Sequence, residues 1–489
     1  MLILENVIQA LSAYTEKNIW ANGETMADPR IKSTVMALEA SDLNSPEKRA
    51  KYTVCVVGCG RIGLPTACLF AEAGFQVIAV DADSNVVSLL KKGKASFVET
   101  GLSELVKKHV KSTRFTATTD AKKAASESDA IVLIVPTAVD EKKKPDYSYV
   151  EKACKDVGLG LCKGSIVIFA STVGPGITET LVKETLENAS GLKTGIDFAL
   201  ANSPTRAAPG QILRDIASYP RVIGGINEQS LRVASLLLGT VVKSNIIKVR
   251  DTRTAVTVKL FENTYRDVCL ALANDFALFC EKMKIDYLEA QNAANTQPYS
   301  HLLRCGIVAG HIPKDPYLLL DEAENVNAKL SMLVLARKIN DEVLEHTVQL
   351  VREALGKRQK PLRGAKVALL GVSYRANIKE PRGTAITKLI KMFTAKGAIV
   401  RVFDPLYSHK ELKEMGYPAG LTLTKTVEAT DCIVIVVGHN RFKRLNLKKV
   451  KLLMTKTAAV VDMGHVVDPQ KAQKAGFLYR GLGRGAWAK

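Results

Sequence analysis

A glycine-rich segment between two apolar runs restricts the fold of this chain more than any other feature. Residues 54–57 form an apolar run with the length and composition of a buried strand, and residues 77–80 form a second such run. Between the first run and a helical segment, three glycines stand in the spacing G-x-G-x-x-G. The order strand, tight turn, helix and strand predicts one βαβ unit of a doubly wound α/β sheet.

The three glycines and the acid at the end of this unit also predict a ligand. Gly58 allows a tight turn, Gly60 lets the backbone approach a pyrophosphate, and Gly63 lets the helix pack on the strand. Asp81 follows Gly63 by 18 residues, where its carboxylate can accept hydrogen bonds from a ribose diol and would repel a 2′-phosphate. The sequence therefore predicts NAD rather than NADP; the alternative is a glycine-rich turn in an unrelated α/β sheet. The residues assigned to this part of the cofactor site are Gly58, Gly60, Arg61, Ile62, Gly63 and Asp81.

Composition and charge limit the possible classes of protein. A chain of 489 residues is long enough for about three domains. The formal net charge of +20 is not concentrated in one block with interleaved aromatics, so we expect phosphorylated substrates and no nucleic-acid partner. The nine cysteines fall mostly in apolar runs without metal-ligand spacing, which predicts reduced core thiols, no metal site and a cytoplasmic location. We expect no membrane association, because there is no signal-peptide pattern and no apolar run of about 18 residues or more.

Polar residues follow two further predicted strands of the first sheet. The apolar runs at 130–135 and 165–170 are typical of buried parallel strands. Ligands of open α/β sheets lie at the carboxyl ends of the strands, so the residues that follow these runs should face the cofactor. These residues are Pro136, Thr137, Ser171 and Thr172.

From about residue 252 the pattern becomes helical. Residues 254–284 predict one long helix, on which Lys259 and Asn263 share a face because they are four residues apart. An apolar stripe on another face predicts either core packing or a dimer interface. The stripe consists of Phe261, Tyr265, Val268, Leu272, Phe276 and Phe279.

The last third of the chain repeats the pattern of the first. Residues 364–375, 398–405 and 430–439 resemble the first three strand regions in the same order, but without the glycine set. Two such domains around a helical spine suggest that a cofactor and a nucleotide-bearing substrate meet across a cleft. The predicted fold class is α/β, with two Rossmann-like doubly wound parallel sheets joined by a long central helix. The predicted division is an N-terminal extension (1–50), an NAD-binding domain (51–251), a central helical and dimerisation domain (252–355) and a second Rossmann-like domain (356–489).

Several motifs in order resemble the nucleotide-sugar 6-dehydrogenases, nearest the archaeal UDP-N-acetylmannosamine branch. They include GCGRIGLP, STVGPGITE, VKLFENTYRDVCLALAND, IPKDP and GVSYRANIKEPRG, and the resemblance extends from about residue 53 to the end. It implies a homodimer with an NAD domain, a dimerising helix and a UDP-binding domain, active in polysaccharide biosynthesis. It also implies two hydride transfers from the C6 alcohol of a UDP-sugar to NAD, with a cysteine capturing the intermediate aldehyde.

The resemblance assigns roles residue by residue. Lys259 and Asn263 would stabilise an oxyanion, Asp315 would handle protons and water, and Thr172 would lie near the reacting centre. Lys314 would contact the cofactor. The residues assigned to the substrate are Thr205, Arg206, Lys259, Asn263, Arg266, Tyr374, Arg375 and Arg382, with Arg382 acting on the neighbouring subunit's substrate.

Two departures from the family pattern concern the chemistry. The family's GGHCIPKDP is VAGHIPKDP here, so that His311 stands in the cysteine's place in an alignment without gaps; with a gap, the cysteine is missing. The family's SPER is SPTR, which puts Thr205 in the place of a glutamate. Histidine cannot form a stable thioester, and we expect a general acid/base, a hydrogen bond to the sugar or a structural role for His311. Cys305 stands six residues upstream and is predicted to pack in the interior rather than to act as a substitute nucleophile.

The sequence thus favours an NAD-dependent oxidoreductase that acts on a UDP-sugar, and the replaced or missing cysteine leaves two extents of oxidation open, to the acid or to an earlier stage. One alternative is an epimerase that retains its NAD. A second is a dehydrogenase that stops after two electrons. A third is a non-catalytic relative that binds NAD and a nucleotide sugar.

Overall fold

The computed structural model describes residues 35–488, so most of the predicted N-terminal extension lies outside the described residues. The fifteen strands of the described part are β1 (Thr53–Val57), β2 (Gln76–Val80), β3 (Phe115–Thr118), β4 (Ala130–Leu133), β5 (Ala138–Val139), β6 (Pro145–Asp146), β7 (Ile166–Phe169), β8 (Ala199–Asn202), β9 (Arg221–Gly225), β10 (Ile246–Lys248), β11 (Lys366–Leu370), β12 (Ile399–Phe403), β13 (Cys432–Ile435), β14 (Ala459–Asp462) and β15 (Leu478–Gly481).

Helices connect most of these strands, and two of the helices are long. The α-helices of the described part are Pro46–Arg49, Gly63–Ala73, Ser84–Lys91, Leu102–Lys111, Ala121–Ser126, Ser148–Gly158, Lys183–Ser190, Ile212–Ser218, Glu228–Gly239, Thr252–Met283, Tyr287–Ala294, Asp315–Asn325, Ser331–Gly356, Ile386–Ala395, His409–Glu414, Leu423–Val427, Asn440–Lys443, Leu447–Leu453 and Pro469–Lys474. None of the described helices is both long enough and apolar enough to cross a membrane.

The first sheet contains eight strands in the order β10-β9-β8-β7-β4-β1-β2-β3. Val57 at the end of β1 is level with Val80 of β2 and Leu133 of β4, so the carboxyl ends of these strands meet at one edge of the sheet. Alternate residues of β1 enter different cores, since Val54 and Val56 pack on one face and Cys55 and Val57 on the other. Helices therefore cover both faces, as the predicted fold class requires.

One edge of this sheet differs from the purely parallel prediction. β8 and β9 pair antiparallel, and β10 runs parallel to β9. The connection after β8 stays at the carboxyl edge, where the Ser203 hydroxyl donates to the Val222 carbonyl and Arg206 Nη1 donates to the Pro220 carbonyl, both over 2.9 Å. β9 consequently starts beyond the end of β8 and runs back, so that Gly224 and Gly225 lie opposite Asn202 and Ala201.

The second sheet is wholly parallel, in the order β12-β11-β13-β14-β15. Its first three strands correspond to the three regions that the sequence matched to the start of the chain. The prediction of two Rossmann-like domains joined by a long helix is confirmed.

The joining helix, Thr252–Met283, is called the central helix below. Asp251 caps it by accepting the Thr254 N–H over 2.7 Å. The predicted apolar stripe is not part of the core of this chain, because Phe261, Tyr265 and Phe279 are each more than half exposed.

A buried polar network joins the central helix to the second long helix, Ser331–Gly356. Arg337 Nη1 lies 2.5 Å from Asp267 Oδ1, and both side chains are almost fully buried. Asn340 donates to the same carboxylate over 2.9 Å and accepts a hydrogen bond from Asn274 over 2.9 Å. Asn274 in turn pairs with the backbone of Gly306, accepting its N–H over 2.7 Å and donating to its carbonyl over 3.1 Å. The network thereby fixes the start of the loop that leads to His311.

Candidate active site

The glycine turn after β1 has the geometry of a phosphate-binding loop. Gly58 has φ 96°, and a Cβ there would lie 2.1 Å from the Ile134 carbonyl oxygen. A Cβ on Gly63 would lie 1.7 Å from the Gly58 carbonyl oxygen, so helix and turn touch. A Cβ on Gly60 would meet nothing within 4 Å. The open space beside Gly60 is where a pyrophosphate can approach the backbone.

The hydrogen bonds of this turn leave donors available for a ligand. The carboxylate of Asp81 accepts the Cys59 N–H over 2.8 Å, which holds the turn in place. Within the described chain, the N–H groups of Gly60, Arg61 and Ile62 make no hydrogen bond. Three free N–H groups at a helix N-terminus suit a phosphate, so the residues present fit a bound dinucleotide.

Side chains at the carboxyl ends of β4 and β7 hold each other and a lysine. The Ser171 hydroxyl donates to the Val135 carbonyl over 2.7 Å, and the Thr137 hydroxyl donates to the Thr172 carbonyl over 2.8 Å. Lys314 Nζ donates to the Thr137 hydroxyl over 2.8 Å. Pro136, which is exposed, lies between Val135 and Thr137. The structure therefore brings together five residues predicted to contact the cofactor, namely Pro136, Thr137, Ser171, Thr172 and Lys314.

Asp315 connects the loop after Gly306 with the central helix. Its Oδ2 accepts a hydrogen bond from Asn263 Nδ2 over 2.5 Å, and both residues are buried. Lys314 Nζ lies 3.3 Å from Asp315 Oδ1. Asn263 is oriented by this contact and presents its amide from the same helix as Lys259.

His311 lies within this group of charges. It is accessible to solvent, yet the surrounding protein removes enough water to lower the pKa of its imidazole. The cations of Lys259, Lys314 and Arg266 lower that pKa further, whereas the carboxylate of Asp315 acts in the opposite direction. His311 is consequently a neutral imidazole at neutral pH, close to four other residues that the sequence assigned to the site.

Lys259 is also affected by its surroundings. Burial lowers its pKa, although the carboxylates of Glu262 and Asp315 oppose this shift. Arg206 pairs with Glu262, with Nη2 and Oε1 2.6 Å apart, and so lies beside Lys259. The Thr205 hydroxyl is buried and has no hydrogen-bond partner among the described residues.

The third domain contributes the loop 374–383, which touches the His311 loop. A Cβ on Gly310 would lie 2.7 Å from the ring of Tyr374, and the Gly310 N–H donates to the Gly383 carbonyl over 2.8 Å. Arg375 and Arg382 are exposed on this loop. The structure thus places the predicted substrate residues of the third domain beside the loop that carries His311.

Comparisons with known proteins agree with this arrangement. Three family models of the UDP-glucose/GDP-mannose dehydrogenase family match the chain, for its NAD binding domain (52–241), its central domain (253–342) and its UDP binding domain (368–469). The UDP-N-acetyl-D-mannosamine dehydrogenase of Pyrococcus horikoshii is 34% identical over 436 residues, which are 88% of this chain and 99% of that protein. The chain belongs to the UDP-glucose/GDP-mannose dehydrogenase family.

Other relatives show the same extent of similarity. The UDP-N-acetyl-D-glucosamine 6-dehydrogenase of Pseudomonas aeruginosa is 30% identical over 422 residues, 86% of this chain and 98% of that protein. The solved structure of the Pyrococcus horikoshii UDP-D-ManNAc dehydrogenase has a TM-score of 0.82 at 32% identity, covering 89% of this chain and 100% of that chain. These matches confirm three predictions. They are the family, an NAD-dependent enzyme of the nucleotide-sugar dehydrogenase type, and NAD as the cofactor.

Cys305 lies outside the cluster of charges around His311. Its thiol is buried, 3.4 Å from His465 Nε2, and burial raises its pKa. A buried thiol with a raised pKa is a poor nucleophile. The packing interpretation of Cys305 therefore fits the structure of this family member.

Sequence reasoning missed Glu380, which is buried and hydrogen-bonded to Arg382 through Nε over 3.0 Å and Nη2 over 2.8 Å. The signal was present, because Glu380 stands between Tyr374 and Arg382 in the segment assigned to the substrate. Asn274 was missed as well, and nothing in the sequence marks it apart from its place on the central helix.

We predict that Gly60→Ala weakens NAD binding at least about tenfold, or about 1.4 kcal/mol, without lowering the melting temperature. The added methyl group meets no protein atom but occupies the space of the phosphate. Gly63→Ala is the matched comparison and should lower the melting temperature, because its methyl group collides with the Gly58 carbonyl. Titration with NADH and thermal unfolding measure the two effects. Unchanged NADH affinity in Gly60→Ala would contradict the assignment of the turn.

Proposed function

We propose that this chain oxidises the C6 hydroxyl of a UDP-sugar to the aldehyde with NAD, the sugar being of the UDP-N-acetylmannosamine or UDP-glucose type. The observation that carries the proposal is the cluster of His311, Lys259, Asn263 and Asp315, which the neighbouring Lys314 connects to Thr137 after β4. The matches to an NAD-binding and a UDP-binding domain and the names of the relatives support the choice of ligands.

The side chains of the cluster supply what removal of a proton and a hydride requires. NAD, held by the free N–H groups of the glycine turn, would supply the hydride acceptor for C6. The neutral imidazole of His311 accepts the proton of the C6 hydroxyl, which leaves an aldehyde. The ammonium group of Lys259 and the free N–H of the Asn263 amide stabilise the negative charge that develops on the oxygen. Asp315 holds Asn263 in the orientation that this role needs.

The same cluster favours release of the aldehyde or its hydrate. None of its members is a thiol, and an imidazole cannot form a stable thioester. Thr205 lacks a carboxylate that could activate water. Oxidation beyond the aldehyde would have to proceed through its hydrate without covalent capture.

The organisation of the chain is part of this proposal. We propose the domain division 51–251, 252–355 and 356–489. The two sheets lie in the first and last of these ranges, and the two long helices lie in the middle one, apart from Gly356 at the end of the second helix. We propose a homodimer that buries the exposed stripe of the central helix. We also propose a cytoplasmic location, which the nine cysteines support, since eight are buried and none forms a disulfide.

The test of the proposed reaction is its stoichiometry. The full chain is incubated with NAD and, separately, with the UDP forms of N-acetylmannosamine, N-acetylglucosamine, glucose and galactose. We expect one NADH per sugar consumed and a product that has lost two hydrogens. Two NADH per sugar, with gain of one oxygen and loss of two hydrogens, would show full oxidation. An isomerised sugar without net NADH would show an epimerase, and binding without turnover would favour a non-catalytic relative.

A pH profile tests the role of His311. A neutral imidazole is required as base, so kcat/KM should fall when the pH drops through the pKa of His311, which lies below its ordinary value of 6.5. His311→Gln should be much slower and should lose this acidic limb. His301 is an exposed histidine of the same segment, and His301→Gln should keep the limb. An unchanged profile in His311→Gln would contradict the assignment.

A substitution in the exposed apolar stripe of the central helix tests the proposed dimer interface. Tyr265→Glu places a charge on the proposed interface, and we expect light scattering to show a monomer where the unaltered chain is a dimer. Leu452→Glu is the control, because Leu452 is also highly exposed but lies in the third domain. Equal masses for both variants and the unaltered chain would contradict this interface.

A further inference from the structure

One buried carboxylate, that of Glu380, connects the glycine turn with the third domain. Glu380 pairs with Arg61, whose side chain is 15% exposed while that of Glu380 is 7% exposed. Arg61 Nη2 also donates to the Lys379 carbonyl over 2.8 Å, and the Arg61 guanidinium lies 5.1 Å above the ring of Phe97. The side chain of Arg61 therefore points to the third domain, while its N–H remains available to a phosphate.

Glu380 also organises the loop on which it stands. Its Oε1 accepts hydrogen bonds from the N–H and Nε of Arg382, and its carbonyl accepts the Tyr374 N–H over 3.1 Å. Burial opposes ionisation, but Arg382 and Arg61 keep the pKa of Glu380 below its usual range. A buried carboxylate that serves two arginines is a costly group unless both partners are in place.

The two arginines belong to different ligand sites. Arg61 stands in the turn that fits the dinucleotide, and Arg382 stands in the segment proposed to contact the UDP-sugar. The loop between Tyr374 and Gly383 also touches Gly310, next to His311. A change in the position of Glu380 must therefore alter the contacts of Arg61 in the glycine turn and those of Arg382 in the loop 374–383.

We propose that Glu380 is a positioning residue that couples binding of the dinucleotide to binding of the UDP moiety, a proposal that rests on the function proposed above. The Arg61–Glu380–Arg382 contact forms only when the first and third domains are close together. A ligand that favours this closed arrangement reduces the free-energy cost of closure for the second ligand, which then binds more tightly. Linkage requires the effect to be equal in both directions.

The experiment is a titration of the full chain with NADH, without and with saturating UDP. For the unaltered chain we expect UDP to tighten NADH binding about fivefold or more, the lower range of coupling between sites. In Glu380→Gln, which keeps the size of the side chain but removes its charge, the ratio should fall below about twofold. A reverse titration with UDP, without and with NADH, should give the same ratios.

Glu411→Gln is the matched control. Glu411 pairs with Lys379, the neighbour of Glu380, but does not touch Arg61. The coupling ratio of this variant should equal that of the unaltered chain. If Glu380→Gln does not fold, Arg61→Gln removes the same ion pair from the other side and should abolish the coupling too.

The outcomes separate this inference from the proposed function. Two results would overturn the inference alone, provided that the unaltered chain binds both ligands and turns over. One is that the unaltered chain shows no coupling, and the other is that Glu380→Gln shows the same coupling as the unaltered chain. A chain that does not bind UDP overturns the proposed function, and the inference with it. Loss of coupling in Glu411→Gln as well would show a general effect of charge on this surface and would also overturn the inference.

Discussion

The hydrogen bond between Asn263 and Asp315 is the contact on which the site depends. It fastens the loop that carries His311 to the central helix, and the adjacent Lys314 fastens the same loop to the first domain through Thr137. Gly310 continues the connection to the third domain through the Gly383 carbonyl. Three parts of the chain thus meet at one loop, and side chains far apart in sequence become neighbours.

Electrostatics explains why this meeting point suits its proposed ligands. The cations of Lys259, Lys314 and Arg266 surround His311, and burial of the site strengthens their effect. A diphosphate and a developing alkoxide are both stabilised by such a surplus of positive charge. Burial, assisted by these cations, lowers the pKa of His311 and keeps the imidazole in the neutral form that can accept a proton. Part of the basic charge of the chain therefore lies at the site that we propose for the phosphorylated ligands.

Much of the fold could be predicted from sequence because it depends on local pattern. The glycine turn and the apolar runs that became β1, β2 and β4 are set by rules that act over fewer than about 30 residues. The carboxyl-end rule also brought Thr137 and Thr172 together correctly. The reversed direction of β9 was not predicted, since it depends on where the chain after Ser203 runs.

The limits of sequence reasoning lie where contacts are long-range. The stripe containing Tyr265 fits a core or an interface equally well until its exposure is known. Glu380 stands in the segment that the sequence assigned to the substrate, but its pairing with Arg61, more than 300 residues away, cannot be read from sequence. Cys305 was a candidate thiol only by its proximity in sequence to His311, and the fold turns it towards His465 instead.

The most direct test of the account is intact-mass spectrometry of the unaltered chain and of His311→Cys, both quenched during turnover with NAD and UDP-N-acetylmannosamine. If His311 stands at the reacting carbon and no other thiol reaches it, the unaltered chain carries no adduct. His311→Cys then carries an acyl adduct with the mass of the substrate less four hydrogens. The same acyl adduct on the unaltered chain would contradict the account, because another cysteine would then capture the aldehyde.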